Sequence, residues 1–251
     1  MIEVKTEKEI EFIRTASSVV AKTLVIIKKE IKPGISTFYL DELARESIEA
    51  RDSKPAFLGY RGYPATACVS VNEEVIHGIP SRDKIIRDGD IVSVDLGAVY
   101  KGFYGDSAIT VPVGNVEKEH LRLIEVTERA LIEGLGAVRN GARLGDVSNA
   151  VQAFAEKNGM SVVRDFTGHG IGRHLHEEPS IPNYGPAGTG PVLRTGMTIA
   201  VEPMICLKGN AVHFLKDGWT VVTDDGCFSA HFEHTVCVTE DGCEILSKRE
   251  G

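Results

Sequence analysis

The sequence predicts an α+β fold of two related halves about a pseudo-twofold, with a central antiparallel sheet flanked by helices. Three observations predict it. Two pairs of helix-like segments are each followed by strand-like segments. "IKPGIS" at 31–36 and "RDGDIVSVD" at 87–95 resemble "VRNGAR" at 138–143 and "RTGMTIAVE" at 194–202. Both matches share one offset, 107 residues, which sets Gly34 against Gly141, Gly89 against Gly196 and Asp95 against Glu202. Two segments agreeing on an offset without gaps argue for an internal duplication. No linker or low-complexity stretch parts the halves, so residues 1–251 read as one domain.

Each element has a local reason. Thr6 with Glu9 forms a possible capping box, and Ile10, Ile13, Val20, Leu24, Ile27 and Ile31 follow at helical spacing until Lys32-Pro33-Gly34 stops the run. Leu40, Leu43, Ala44 and Ile48 mark a second helix. At the shared offset, 117–139 repeats the first helix and 144–158 the second, ended by Asn158-Gly159. Strands are predicted over 91–99 and 103–112 in the first half, and over 197–206, 212–222 and 232–239 in the second.

Composition bounds the function. The chain of 251 residues is 42% hydrophobic and 25% charged, as in an ordinary globule. Its net charge of −8 argues against specific DNA binding or affinity for anionic membranes. The five cysteines, at 68, 206, 227, 237 and 243, are odd in number and form no CxxC pair, which points to a reducing compartment. With neither a signal-peptide pattern nor an apolar run of transmembrane length, a cytoplasmic location and no membrane association are expected.

Acids stand where apolar residues belong. A hairpin centred on Tyr100 and Lys101 would set Asp95 directly opposite Asp106, with β-carbons roughly 4.5–5.5 Å apart. Two ionised carboxylates so close repel unless a proton or a cation lies between them. Alternatively, one aspartate caps the turn or sits on a solvated edge. Glu202 interrupts the apolar strand "MTIAVEPMICL", and Glu233 alternates with His231 and Thr235 in "FSAHFEHTVCVTE". A buried lone carboxylate is costly, so four such acids argue for metal coordination. With one histidine they make an oxygen-rich, thiol-free set suited to two divalent ions, with manganese, ferrous iron, cobalt and zinc all compatible.

The histidine comes from "FTGHGIGRHLHEEP", 166–179. Glycines on both sides of His169 allow close backbone approach. His176 lies seven residues on, and His174 points to the opposite face of an extended segment, hence outward. His77, in "VIHGIP", is a third candidate, while His120 on a charged helix is expected to be solvated. His213 and His231 stay undecided.

"VNEEVIHGIP", "DIVSVDLGAVYKGFYGDSA", "GHGIGRHLHEEP", "AVEPM" and "SAHFEHT" resemble, in order and spacing, the motifs of the methionine aminopeptidases. The short interval from Glu202 to Glu233 and the absence of a zinc-finger extension resemble the compact bacterial type I form. The resemblance implies the duplicated pita-bread fold, also seen in creatinase. It implies a dinuclear metallo-aminopeptidase that removes N-terminal methionine when the second residue is small. Asp95 would chelate one ion, Asp106 and Glu233 would bridge two, and His169 and Glu202 would complete the set. Glu202 would shuttle a proton, His176 would polarise the scissile carbonyl, and His77 would contact the substrate backbone. Tyr60, Tyr63 and Cys68 in "FLGYRGYPATAC" resemble the wall of the methionine pocket, and Trp219 resembles its floor. Leu175 stands where an aromatic residue is expected, implying a more open pocket. Asn72 and Ser229 resemble a monovalent-cation site. The implied partners are nascent-chain N-termini and the ribosome, and a monomer is expected.

The sequence is also compatible with other readings. A pita-bread Xaa-Pro aminopeptidase or dipeptidase would share the site but usually carries a large N-terminal domain. A mononuclear iron oxygenase using His169, His176 and Asp95 would leave three acids unexplained. A catalytically silent peptide-binding relative would be expected to lose ligands and gain basic surface.

Overall fold

The computed structural model describes residues 2–249. The first half holds helices α1 (Glu7–Glu30) and α2 (Thr37–Glu49) and strands β1 (Lys54–Pro55), β2 (Ala67–Val71), β3 (Glu74–Ile76), β4 (Ile91–Tyr100) and β5 (Phe103–Pro112). The second holds α3 (Lys118–Gly136), α4 (Leu144–Lys157), β6 (Ser161–Val162), β7 (Thr167–Gly170) and β8 (Glu177–Pro182). These are followed by β9 (Thr198–Val201), β10 (Met204–Cys206), β11 (Val212–Phe214), β12 (Val221–Thr223), β13 (Ser229–His231), β14 (His234–Val238) and β15 (Cys243–Ile245). Every strand pairing is antiparallel.

Each predicted helix forms. The Thr6 and Glu9 capping box closes the start of α1, and Ile31 ends it in extended backbone before Pro33. The helix buries Ile13, Val20, Leu24 and Ile27, and packs on β4 and β5. α2 covers β1 and β2, while α3 and α4 pack on each other and against β6, β10 and β13. The main core runs through both halves, from Leu24, Leu40 and Val94 to Leu144, Ile199 and Val236.

The duplication is visible in backbone hydrogen bonds. Gly34 N–H donates to Ile86 O and Gly141 N–H to Leu193 O, both at 2.9 Å. Ser36 bridges Ile85 as Arg143 bridges Val192. Gly34 and Gly141 both take a left-handed backbone, with φ of 94° and 82°. All of these pairs keep the 107-residue offset.

Two hairpins carry the acids, with different registers. β4 and β5 close at Tyr100 and Phe103, with Lys101 (φ 49°) and Gly102 (φ 82°) in the turn. Two left-handed residues make the turn that suits strand twist, and the glycine draws it to 101–102 rather than to 100–101. Asp95 therefore faces Ala108 and Asp106 faces Gly97. The expected direct opposition is corrected: the two aspartates are diagonal neighbours on one face.

The second hairpin supplies the opposition instead. The predicted strand 197–206 is cut into β9 and β10 at Glu202-Pro203, where proline has no N–H for the ladder. Its partner is cut into β13 and β14 at Phe232-Glu233. Val201 pairs with His234 and Met204 with His231, so one register spans the break and sets Glu202 across from Glu233. The predicted strand 212–222 divides into β11 and β12, with Trp219 in the turn between them.

Hydroxyls join the halves. Thr110 Oγ1 accepts from His231 N–H and donates to His231 O, each at 2.9 Å. Thr235 Oγ1 treats Asp106 in the same way, at 3.1 and 2.8 Å. Ser107 Oγ donates to Glu233 O at 2.6 Å, and Glu233 N–H donates to Ala108 O at 3.0 Å.

Candidate metal centre

Asp95 and Asp106 project from the first half, while His169, Glu202 and Glu233 project from the second, onto one floor. Asp106, His169 and Glu233 each offer a donor atom within 4.8 Å of the others. His169 Nε2 lies 3.4 Å from Glu202 Oε1. Asp95 and Asp106 are diagonal neighbours on one face of the β4–β5 hairpin. The sequence-predicted set therefore converges as a whole.

The glycines around His169 have a steric reason. A Cβ on Gly168 would lie 2.3 Å from Ala200 O, and one on Gly170 would lie 2.2 Å from Glu178 O. Only glycine lets β7 approach β8 and β9 closely enough to aim the imidazole at the carboxylates. His169 Nδ1 lies 3.0 Å from Gly170 O. A proton on Nδ1 would donate there and leave Nε2 free as a ligand.

The electrostatics suit either bound protons or a cation. Burial raises Asp106 far above the usual carboxylate range, and the Glu233 and Asp95 charges raise it further. Glu202 is raised by burial and then by Asp95 and Asp106, and Glu233 by burial and then by Glu202 and Asp95. Burial also raises Asp95. The same burial pushes His169 down to about 3, so the ring is neutral and ready to ligate. Asp95 Oδ1, Asp106 Oδ1 and Glu233 Oε1 are buried with no hydrogen-bond partner. Orphaned acceptors beside a neutral imidazole are the donor set a divalent ion fits.

This floor closes a cavity of about 270 Å³ that all eleven sequence-predicted catalytic, metal and pocket residues line. Tyr63 is buried, its hydroxyl 3.1 Å from both Ala67 O and Gly78 O, and its ring meets Trp219 edge-on at 5.1 Å. Cys68 and Leu175 are buried beside it, and Phe57 and Ile171 belong to the same apolar cluster. Leu175 thus lines the cavity from within the packed wall.

Two histidines flank the floor. His77 takes a left-handed φ of 58°, uncommon for a side chain with a Cβ, and burial lowers its pKa to about 4. His176 stands at the rim, its ring 4.3 Å from that of His169, and partial burial with the Arg61 charge lowers it to about 4. Tyr60 hydrogen-bonds His176 Nδ1. His174 is exposed, as expected.

Three histidines needed the structure. His231 is fully buried, with Nε2 3.7 Å from Glu202 Oε2 and no hydrogen-bond partner. Its place two residues before Glu233, on the same strand face, was the available signal. His120 is not solvated: its ring stacks on Phe228 at 3.9 Å because that helix face meets an aromatic neighbour. His213 lies outside, paired with Asp224 at 2.6 Å. Phe166, edge-on to His77 at 5.9 Å, and Arg61 at the rim also line the cavity without a sequence signal.

At the suggested monovalent-cation position, Ser229 N–H donates to Asn72 O at 2.9 Å, and Ser229 Oγ is buried without a partner. Among the described residues no helix is long and apolar enough to cross a membrane.

Comparison with known proteins bears on this site. The sequence model of metallopeptidase family M24 matches residues 11–240. The chain is 48% identical over 248 residues to methionine aminopeptidase 1 of Bacillus subtilis, covering 99% of this chain and 100% of that one. The crystal structure of methionine aminopeptidase from Thermotoga maritima superposes with a TM-score of 0.98 at 49% identity, covering 99% of this chain and 100% of that one. The prolidase of Pyrococcus furiosus shares the pita-bread fold at a TM-score of 0.81 and 25% identity, with 66% of its length and 99% of this chain covered. Fold, donor set and sequence agree: the chain belongs to metallopeptidase family M24 and, within it, to the methionine aminopeptidases.

Proposed function

We propose that this chain, as a single catalytic domain, is a metal-dependent aminopeptidase that removes methionine from polypeptide N-termini when the second residue is small. The observation that carries the reading is the set of partnerless carboxylate oxygens beneath an apolar, aromatic-walled cavity. Two divalent ions, drawn from manganese, ferrous iron, cobalt and zinc, suit the five donors. When bound, they supply Lewis acidity and lower the pKa of a water toward ~7.

The chain's own residues do the rest. Asp95, Asp106, His169, Glu202 and Glu233 would hold the ions. Glu202, flanked by His169 and His231, holds a proton at its carboxylate and passes it to the leaving amine. His176 donates from Nε2 to the carbonyl oxygen as negative charge develops there. His77 contacts the substrate backbone, and its lowered pKa keeps it neutral. Tyr60, Tyr63, Cys68 and Trp219 enclose the methionine side chain, whose thioether favours aromatic edges. A cytoplasmic monomer meeting nascent chains at the ribosome, with a monovalent ion near Asn72 and Ser229, completes the proposal.

The test is methionine release from peptides beginning Met-Gly, Met-Leu and Ala-Pro, after chelation and again after manganese or cobalt is restored. Restored cleavage of Met-Gly alone is expected. Cleavage of Ala-Pro instead would overturn the pocket assignment, and full activity in the metal-free protein would overturn the mechanism.

A further inference from the structure

Gly172, the third glycine of 166–179, makes room for a lysine. It lies in the loop at 171–176, which joins β7 to β8 and carries His176 to the cavity rim. A Cβ on Gly172 would lie 2.4 Å from Lys5 Cε and 2.9 Å from Lys5 Nζ. Lys5 belongs to the segment before α1, yet its side chain is only 3% exposed. Its backbone N–H donates to Gly196 O at 2.8 Å, which fastens this segment to the second half. A buried ammonium is costly without partners. Lys5 Nζ donates to Glu177 Oε2 at 2.5 Å and to Glu3 Oε2 at 3.0 Å.

The other Glu177 oxygen, Oε1, accepts His174 N–H at 3.0 Å. Glu177 also opens β8, where it pairs with Gly170, the residue after His169. One carboxylate thus closes the turn 174–177, with Leu175 and His176 inside it, and Lys5 holds that carboxylate. The start of the loop is held separately. Thr198 Oγ1 donates to Ile171 O at 2.5 Å, and Tyr104 N–H donates to Gly172 O at 2.8 Å. Arg173 and Glu9 pair at 2.6 Å, but the arginine side chain is 59% exposed, so that pair contributes little. Lys5 itself does not line the cavity.

We propose that Lys5 is a positioning residue for His176: its buried ammonium holds the Glu177 carboxylate, which fixes the end of the loop and with it the place of the His176 ring. A group that meets developing charge on a carbonyl oxygen must stand in register with it, and a displacement of about 1 Å costs up to roughly 10²-fold in rate. The first turn before α1, far along the chain from every donor to the metal centre, thereby acts on the rim of the cavity. The inference rests on the peptidase reading for what the ring does. Where the ring stands is measurable without substrate.

The first measurement is NMR of zinc-loaded full-length protein carrying isotope-labelled histidine, since zinc has a filled d shell. In the unsubstituted chain His176 should give one set of ring signals, with the proton on Nε2. Lys5→Met keeps an unbranched stem over Gly172 and removes the charge. In that variant the His176 signals should broaden or divide between two tautomers, while those of the remote His120 and His213 stay in place. With manganese, kcat on a Met-Gly peptide should fall roughly 10- to 100-fold and KM should change less than about twofold. Lys5→Met also leaves Glu177 unpaired and lowers stability, so a second variant separates folding from position. Lys5→Met combined with Glu177→Gln leaves no unpaired charge, and Tm should recover. Because the tie is still missing, kcat should stay low. Unchanged His176 signals in Lys5→Met, or kcat recovering together with Tm in the double variant, would overturn the proposal. If the unsubstituted protein failed to cleave Met-Gly, the peptidase reading would fall and the ring signals alone would decide this one.

Discussion

The Tyr60 hydroxyl lies 2.8 Å from Nδ1 of His176, with the two rings tilted at 31° and their centroids 5.3 Å apart. A neutral imidazole accepting the tyrosyl proton at Nδ1 carries its own proton on Nε2, the atom available to a carbonyl oxygen. On the proposed mechanism, Tyr60 would act on catalysis by fixing that tautomer. Tyr60→Phe is expected to lower kcat roughly fivefold, the effect of about 1 kcal/mol for one hydrogen bond. His176→Ala is expected to lower it by roughly 10²–10³. Steady-state kinetics on a Met-Gly peptide check both, and an unchanged kcat in Tyr60→Phe would remove the orienting role.

Glu202→Gln keeps an oxygen ligand but cannot carry a proton. It should reduce methionine release by roughly 10²–10⁴. In metal-free protein the same change removes one buried acid from a crowded cluster, so thermal stability at pH 8 should rise. Higher stability with lost activity separates the chemical role from a structural one, and calorimetry beside peptide kinetics reads both.

Metal removal should make stability fall as pH rises. The folded pKa values of Asp106, Glu202 and Glu233 lie above the unfolded carboxylate value of about 4. Their contribution is full below that value and declines as pH climbs through the folded values. The buried His169 and His231, lowered to about 3, act oppositely but only below the unfolded imidazole value near 6.5. Between pH 7 and 9, the Tm of chelated protein should fall, as stability drops by up to about 1.4 kcal/mol per pH unit for each acid that stays protonated only in the folded state. Metal-loaded protein should change much less. Equal slopes in melting curves would contradict the clustered, metal-neutralised acids.

Trp219→Ala opens the cavity and removes the edge-on partner of Tyr63. Lost apolar contact and an aromatic pair together suggest about 1.5–2.5 kcal/mol, so KM for Met-Gly should rise roughly 10- to 70-fold. The change in kcat should be smaller. A fall in kcat alone would place the tryptophan outside the methionine subsite.

Most of the architecture was legible because it rested on periodicity and caps. The four helices follow apolar spacing, and the halves follow one offset. The acids stood out as polar residues in apolar strands. What failed was geometry set by single residues. The register of Asp95 and Asp106 turned on where Gly102 placed the turn, and Pro203 cut a strand that hydropathy alone ran through. β7, a Thr-Gly-His-Gly strand, has no alternation to read, since close packing chose its glycines. His231 and the stacked His120 were settled by neighbours distant in sequence, information no local window holds.

The reciprocal threonines at the seam have a consequence for dilution. Thr110 grips His231, and Thr235 grips Asp106, so each half holds a backbone residue of the other beside the carboxylates. In an assembly of separate chains such a junction would come apart as the protein is thinned out. Here the two sides travel on one polypeptide, and their meeting is intramolecular, at an effective concentration that the covalent connection sets. The five donors therefore stay gathered however few copies of the chain are present.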